Sequence, residues 1–161
     1  MHVRKLLPAA ALALLFSLPA VALAGTNVGV EETVRAFFAD TPVMSAIAQC
    51  ESEFHQFGSD GSVLHGGYKH RMIGLFQIAP LHLPAANALG LDVDTVAGNM
   101  AYAKHLYVHE GTRPWLDSAW CWQKKMDAAS NDESAKLVML QKQVAHLTAV
   151  LNALIAAKNS S

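Results

Sequence analysis

The sequence predicts a mainly α-helical domain with a small hairpin or loop, followed by a C-terminal helix. Three observations predict it. Apolar residues recur at spacings of three and four in segments separated by Gly- and Pro-marked breaks. One stretch, Gln56 to Gly67, is instead rich in Gly, Ser and Asp, the composition of turns. Past Gln123 the composition shifts again, and apolar residues alternate at threes and fours as far as Leu154.

The chain has 161 residues, and its start reads as an address rather than as fold. Arg4 and Lys5 form a basic region, Leu6 to Leu23 is uncharged and apolar, and Ala22-Leu23-Ala24 is a small-x-small cleavage site. That is the layout of a secretory signal peptide over residues 1–24. A retained anchor is the rival reading, because the apolar run approaches the length of a membrane span. With cleavage, no stable membrane anchor is expected, and the product is periplasmic or secreted. Residues 25–125 then suit one small domain, and 126–161 a linker with an amphipathic helix.

Within the domain, Glu31 to Ala39 predicts a short helix with Val34, Phe37 and Phe38 on its apolar side. Thr41 can cap the next helix and Pro42 fits its first position, so a helix is expected from Pro42 to about Phe54. Met44, Ile47, Ala48 and Glu51 share one face of it. Ser59-Asp60-Gly61-Ser62 signals a turn, with Val63-Leu64 able to start a short strand. Tyr68 to Ile78 has loop character that tightens at Gly74. Leu83 to Leu89 predicts a short helix ended by Gly90. Asp94 or Thr95 caps a longer one ended by Gly111, with Val96, Met100, Ala103 and Tyr107 as its stripe and Leu106 alongside. Trp115, Trp120 and Trp122 surround Cys121. Packing is the expected role for most of them, with sugar stacking as the functional reading.

Asp127 to Asp132 is small and polar, and reads as a linker or helix cap. Leu137, Leu140, Val144, Leu147, Leu151 and Leu154 then form a heptad stripe. The stripe covers only about two and a half heptads, short for a coiled coil standing alone. It reads equally as self-association or a partner helix through Leu137–Leu154, or as a helix folded back on its own domain. Val138, Val150 and Ile155 broaden it, as the second arrangement requires. Few Lys on its polar face argue against a membrane-surface role.

The formal net charge is −1, and losing Arg4 and Lys5 makes the rest mildly acidic. That excludes a general nucleic-acid binder, which needs a basic surface. In an exported chain the pair Cys50 and Cys121 is expected to form a disulfide rather than two buried thiols. Such a bridge joins the neighbour of Glu51 to the Trp-rich segment. His65, His70, His82, His105 and His109 are scattered. His105 and His109 lie one turn apart, but no third ligand is placed, so no metal site is expected. No phosphate-binding Gly loop or nucleophile motif is present, and no cofactor is expected.

The candidate chemistry centres on Glu51, at the C-terminal end of an apolar helical stripe. A carboxylic acid donates a proton near neutral pH only if its pKa is raised. Burial raises it, and so does a helix C-terminus. Ile47, Phe54, Phe76 and Ile78 are the apolar residues available to supply the burial. Ordinary glycosidases use two carboxylates. Here Glu53 points elsewhere along the helix, and Asp60, Asp92 and Asp94 read as capping or solvated residues.

From about Val34 to Trp122 the chain resembles the lytic transglycosylase family, whose catalytic domain is similar to goose-type lysozyme. The matching residues are Glu51-Ser52, Gly74-Leu75-Phe76-Gln77-Ile78 and Gly98-Asn99-Met100-Ala101-Tyr102. The resemblance implies an α+β lysozyme-like fold and peptidoglycan glycan strands as substrate. It implies a single catalytic carboxyl, Glu51, that cleaves the MurNAc–GlcNAc linkage and leaves 1,6-anhydro ends. It also implies that Ser52 holds Glu51 in place, that Gln77 with the backbone of Phe76 contacts the glycan, and that Gly74, Ile78 and Tyr102 belong to the substrate site. The chain departs from the family in one respect. Many members carry a late Tyr that hydrogen-bonds the catalytic Glu, whereas the stretch from Trp115 to Trp122 has none. A hydrolytic muramidase using a carboxylate such as Asp60, and a weakly active or non-catalytic wall-binding module, are the alternative readings.

Overall fold

The computed structural model describes residues 26–159, so the expected signal peptide over residues 1–24 lies outside the described residues. The chain is mainly helical, with one two-stranded sheet and a long C-terminal helix. The helices are α1 (Val30–Phe37), α2 (Pro42–Ser52), α3 (Leu83–Ala88), α4 (Val96–Glu110) and α5 (Ala119–Asn159). Strands β1 (His65–Gly66) and β2 (Met72–Ile73) form an antiparallel pair, His65 opposite Ile73 and Gly66 opposite Met72. No helix among the described residues is long and apolar enough to cross a membrane.

The expected boundaries hold where local chemistry sets them. Pro42 occupies the first turn of α2. Thr95, rather than Asp94, caps α4 by accepting a hydrogen bond from the Gly98 amide at 3.0 Å. Gly111 follows the end of α4 at φ +63°. Thr41 precedes α2 but makes no capping bond. Its hydroxyl instead meets Asp40 and Lys104, which ties the α1–α2 turn to α4.

α1 and α2 both end earlier than expected. α1 ends at Phe37, and the chain turns so that Phe38 is fully buried while Phe37 is 46% exposed. Val30 is buried in the core beside Val34. α2 stops at Ser52 because Glu53 and Phe54 both adopt positive φ, 54° and 64°.

The core joins α1, α2, α4 and the 73–78 segment. Val34, Phe38, Met44, Ile47, Leu75, Phe76, Ile78 and Tyr102 are almost completely enclosed. Phe38, Phe76 and Trp115 form an edge-to-face aromatic chain with centroids 5.3 and 6.0 Å apart. Trp115 and Trp122 are buried in this core, as expected of most of the three Trp residues, and Trp120 is 77% exposed.

The first turns of α5 pack on α2 and carry Cys121, which is disulfide-bonded to Cys50. An intramolecular disulfide fits an oxidising compartment. The polar stretch 127–132 does not interrupt α5. It contains no Gly or Pro, and Asp132 pairs with Lys136 one turn on at 2.6 Å. Every residue from 127 to 159 is exposed, so this helix does not fold back on its own domain.

Candidate active site

Glu51 lies in the last turn of α2, which has no basic residue to offset a carboxylate there. Its side chain is partly buried. Burial raises its pKa above the usual 4.5, the charge of Asp117 adds to the rise, and a hydrogen bond from Ser118 opposes it. Ile47, Phe54, Phe76 and Ile78 are all buried in the core.

The Ser118 hydroxyl lies 2.6 Å from Oε1 of Glu51 and 3.1 Å from the carbonyl oxygen of Trp115. This geometry serves both protonation states. The hydroxyl donates to an ionised Glu51. When Glu51 is protonated on its other oxygen, Oε1 is a carbonyl oxygen and still accepts the same hydrogen bond. Trp115 is itself fixed, because its indole N–H donates to the carbonyl of Phe76 at 2.9 Å and its carbonyl accepts from the Trp122 indole at 2.9 Å. Cys50 precedes Glu51 and Cys121 is three residues past Ser118, so the disulfide closes the same junction covalently.

The hydroxyl of Ser52 is directed away from the Glu51 carboxyl to other partners. It donates to the carbonyl of Leu75 at 2.8 Å and accepts from the His55 amide at 3.2 Å. It fixes the end of α2 against the 74–78 segment, and so acts on Glu51 through the backbone.

That segment is held by two fully buried amides. Gln56 accepts from the Leu75 N–H at 2.9 Å and donates to the Val93 carbonyl at 3.0 Å. Asn99 accepts from the Phe76 N–H at 2.9 Å and donates to the carbonyls of Ile73 and Val93 at 3.1 and 2.9 Å. No buried side-chain polar atom among the described residues lacks a partner. Gly74 is required at this point. Its φ is +63°, and a Cβ there would come within 2.7 Å of both the Gln56 and Asn99 amides. Gly98 is required for a different reason, since a Cβ would collide with the backbone of Asp92.

The residues expected to meet substrate therefore divide. Glu51, Ser52 and Gln77 are partly exposed around the α2 terminus and the 74–78 turn. Gln77 sits at φ 49°, and its side-chain amide donates to the Gly74 carbonyl at 2.7 Å. Gly74, Phe76, Ile78 and Tyr102 are buried rather than facing solvent. Both backbone polar groups of Phe76 are already engaged, the N–H by Asn99 and the carbonyl by Trp115. The Tyr102 hydroxyl lies 3.3 Å from Nδ1 of His82.

Asp60 is committed to its turn. It accepts from the Ser62 amide and hydroxyl at 3.0 and 2.7 Å, which holds its pKa below the usual value. Asp92 similarly accepts from the Asp94 amide at 3.0 Å. Sequence reasoning missed Asp117, the carboxylate whose charge reaches Glu51, and it missed Ser118 and Gln56; it placed Asn99 in a matching motif but gave it no role. The pairing of Cys50 with Cys121 was the signal that could have found Asp117 and Ser118. The rings of His105 and His109, one turn apart, are tilted by 38° with centroids 4.2 Å apart.

A cavity of about 580 Å³ lies between α1–α2 and the start of α5, lined by Phe38, Ser45, Gln49 and Met126 among others, and Glu51 is not part of its wall. Comparison with protein-family models, with curated proteins and with solved structures finds no match.

Proposed function

We propose that this chain is a lytic transglycosylase that cleaves the MurNAc–GlcNAc linkage of peptidoglycan and leaves 1,6-anhydro-MurNAc ends. The observation that carries the proposal is the setting of Glu51: a partly buried carboxyl with a raised pKa, held at 2.6 Å by a hydroxyl that can serve it as acid and as base.

In the first step Glu51 gives its proton to the glycosidic oxygen. The bond from that oxygen to C1 of MurNAc breaks, with the substrate's N-acetyl group assisting departure. In the second step the 6-hydroxyl oxygen of the same sugar bonds to C1, and its proton passes to Glu51. Glu51 ends as it began and no water is consumed. Ser118 stays a donor throughout: its hydroxyl donates to Oε1 of Glu51, which leaves the other carboxyl oxygen to carry the proton that is given to and taken from the substrate. It occupies the role that a Tyr hydroxyl plays in the family the sequence resembles.

Positive φ at Glu53, Phe54 and Gln77 further supports a functional reading. Non-glycine residues held in this region cost about 1–3 kcal/mol each, and such strain concentrates at active sites. The disulfide fits action outside the cytoplasm, where the wall lies.

A hydrolytic reading draws on one observation, the charge of Asp117 near Glu51. An exposed second carboxylate in that position could activate water. Asp60, engaged by Ser62, is not suited to the task.

Release of soluble fragments from purified peptidoglycan, by the wild-type chain and not by Glu51→Gln, is the expected result. Equal release by the variant would refute both enzymatic readings.

A further inference from the structure

Beyond the domain, α5 carries six apolar side chains at heptad spacing with nothing against them. Leu137, Leu140, Val144, Leu147, Leu151 and Leu154 are between 54% and 66% exposed. A stripe of that length is costly in water and marks a surface that is covered in use.

We propose that a second copy of this chain covers the stripe, with the two helices running antiparallel. Charge complementarity fixes the direction. The heptad register extends one step outward to Glu133, four residues before Leu137, and to Lys158, four residues after Leu154. In an antiparallel pair centred on the stripe, Leu137 faces Leu154 of the second copy, Leu140 faces Leu151, and Val144 faces Leu147. The next layer sets Glu133 opposite Lys158, once at each end of the pair. Parallel pairing would set Glu133 against Glu133 and Lys158 against Lys158, a like-charge contact at both ends.

The remaining charges do not oppose this arrangement. Neither Glu133 nor Lys158 forms an ion pair within its own chain among the described residues, whereas Lys136 is already paired with Asp132. Between Leu137 and Leu154 the sole Lys, Lys142, lies on the opposite side of the helix from the stripe.

The helix is also prepared for pairing. A two-and-a-half-heptad segment alone would be marginal, because nucleating a helix is unfavourable. Here the first turns of α5 are already fixed by the Cys50–Cys121 bridge and by buried Trp122. The stripe therefore extends an existing helix.

Sedimentation of the purified chain over a range of concentrations tests the association, and engineered disulfides test its direction. The expected species is a dimer that becomes monomeric in a Val144→Lys, Leu147→Lys double variant with an unchanged domain. Both positions are exposed, so the domain does not depend on them. Glu133→Lys and Lys158→Glu should each weaken the dimer about tenfold, and combining them should restore it. Copies carrying Leu140→Cys should cross-link to copies carrying Leu151→Cys, with neither cross-linking to itself. A monomer at every concentration would overturn the proposal. Self-cross-linking of Leu140→Cys alone would overturn the antiparallel register.

Discussion

The hydroxyl of Ser118 lies 2.6 Å from the carboxylate of Glu51, joining residues 67 positions apart in the chain. The contact spans the α2–α5 junction that the Cys50–Cys121 bridge also closes. In the proposed mechanism it gives Glu51 a donor that stays in place as the proton moves.

Ser118→Ala should reduce turnover on peptidoglycan by about 10²-fold, the scale of losing one positioning contact at a reacting group. It should also move the pH profile. The Ser118 hydrogen bond lowers the Glu51 pKa, so its loss raises that pKa, and the alkaline limb, where the acid loses its proton, should shift to higher pH. Ser118→Thr keeps the hydroxyl and should recover most of the activity. An unshifted profile in Ser118→Ala would remove Ser118 from the mechanism.

Glu51→Gln should abolish activity while making the fold more stable at neutral pH. The folded-state pKa of Glu51 is raised, so the folded protein holds that proton more tightly than the unfolded chain. Its contribution to stability is fully present below the unfolded value near 4.5 and is lost as pH rises through the folded value. Gln carries no charge to bury. Thermal melts should show the variant ahead of wild type at pH 7, with the lead vanishing below about pH 4.

Replacing Cys50 and Cys121 together by Ala should cost about 4 kcal/mol, from the entropy of opening a long loop, as read by urea denaturation. The same variant should lose activity beyond its loss of folded protein, because Glu51 and Ser118 would no longer be locked across the junction. Full specific activity in the remaining folded fraction would show that the bridge serves stability alone.

Gly74→Ala should destabilise the domain by roughly 2–5 kcal/mol. That range combines a left-handed backbone penalty with overpacking against two buried amides. Gly90→Ala shares the positive φ but has open space around its Cβ position, so it should cost less. The difference between the two melts isolates the steric part.

Much of this arrangement is legible in the sequence, and what is not has identifiable causes. Periodicity and caps place α2, α4 and the emergence of Glu51, because those signals are local. The Phe37–Phe38 pair is misread because the helix ends between them, so helical spacing no longer decides which side chain points inward. The 127–132 stretch reads as a break from its polarity, but polarity without Gly or Pro does not stop a helix. Gln56 and Asn99 look like ordinary polar residues. Their roles come mostly from backbone groups that folding delivers from 19 to 37 positions away, with Val93, six positions from Asn99, the one nearby partner. Ser118 is distant from Glu51 in the same way, yet the cysteines adjoining both sites are visible in the chain.

How the bond is cut can be read from the ends of the released fragments. Purified peptidoglycan should be digested with the wild-type chain and the soluble products analysed by mass spectrometry. The account predicts fragments ending in 1,6-anhydro-MurNAc, lighter by one water than their reducing counterparts. Fragments with reducing ends would contradict it and transfer the chemistry to a water-activating carboxylate such as Asp117. No soluble product, with the chain retained on sedimented wall, would contradict it in favour of a binding module.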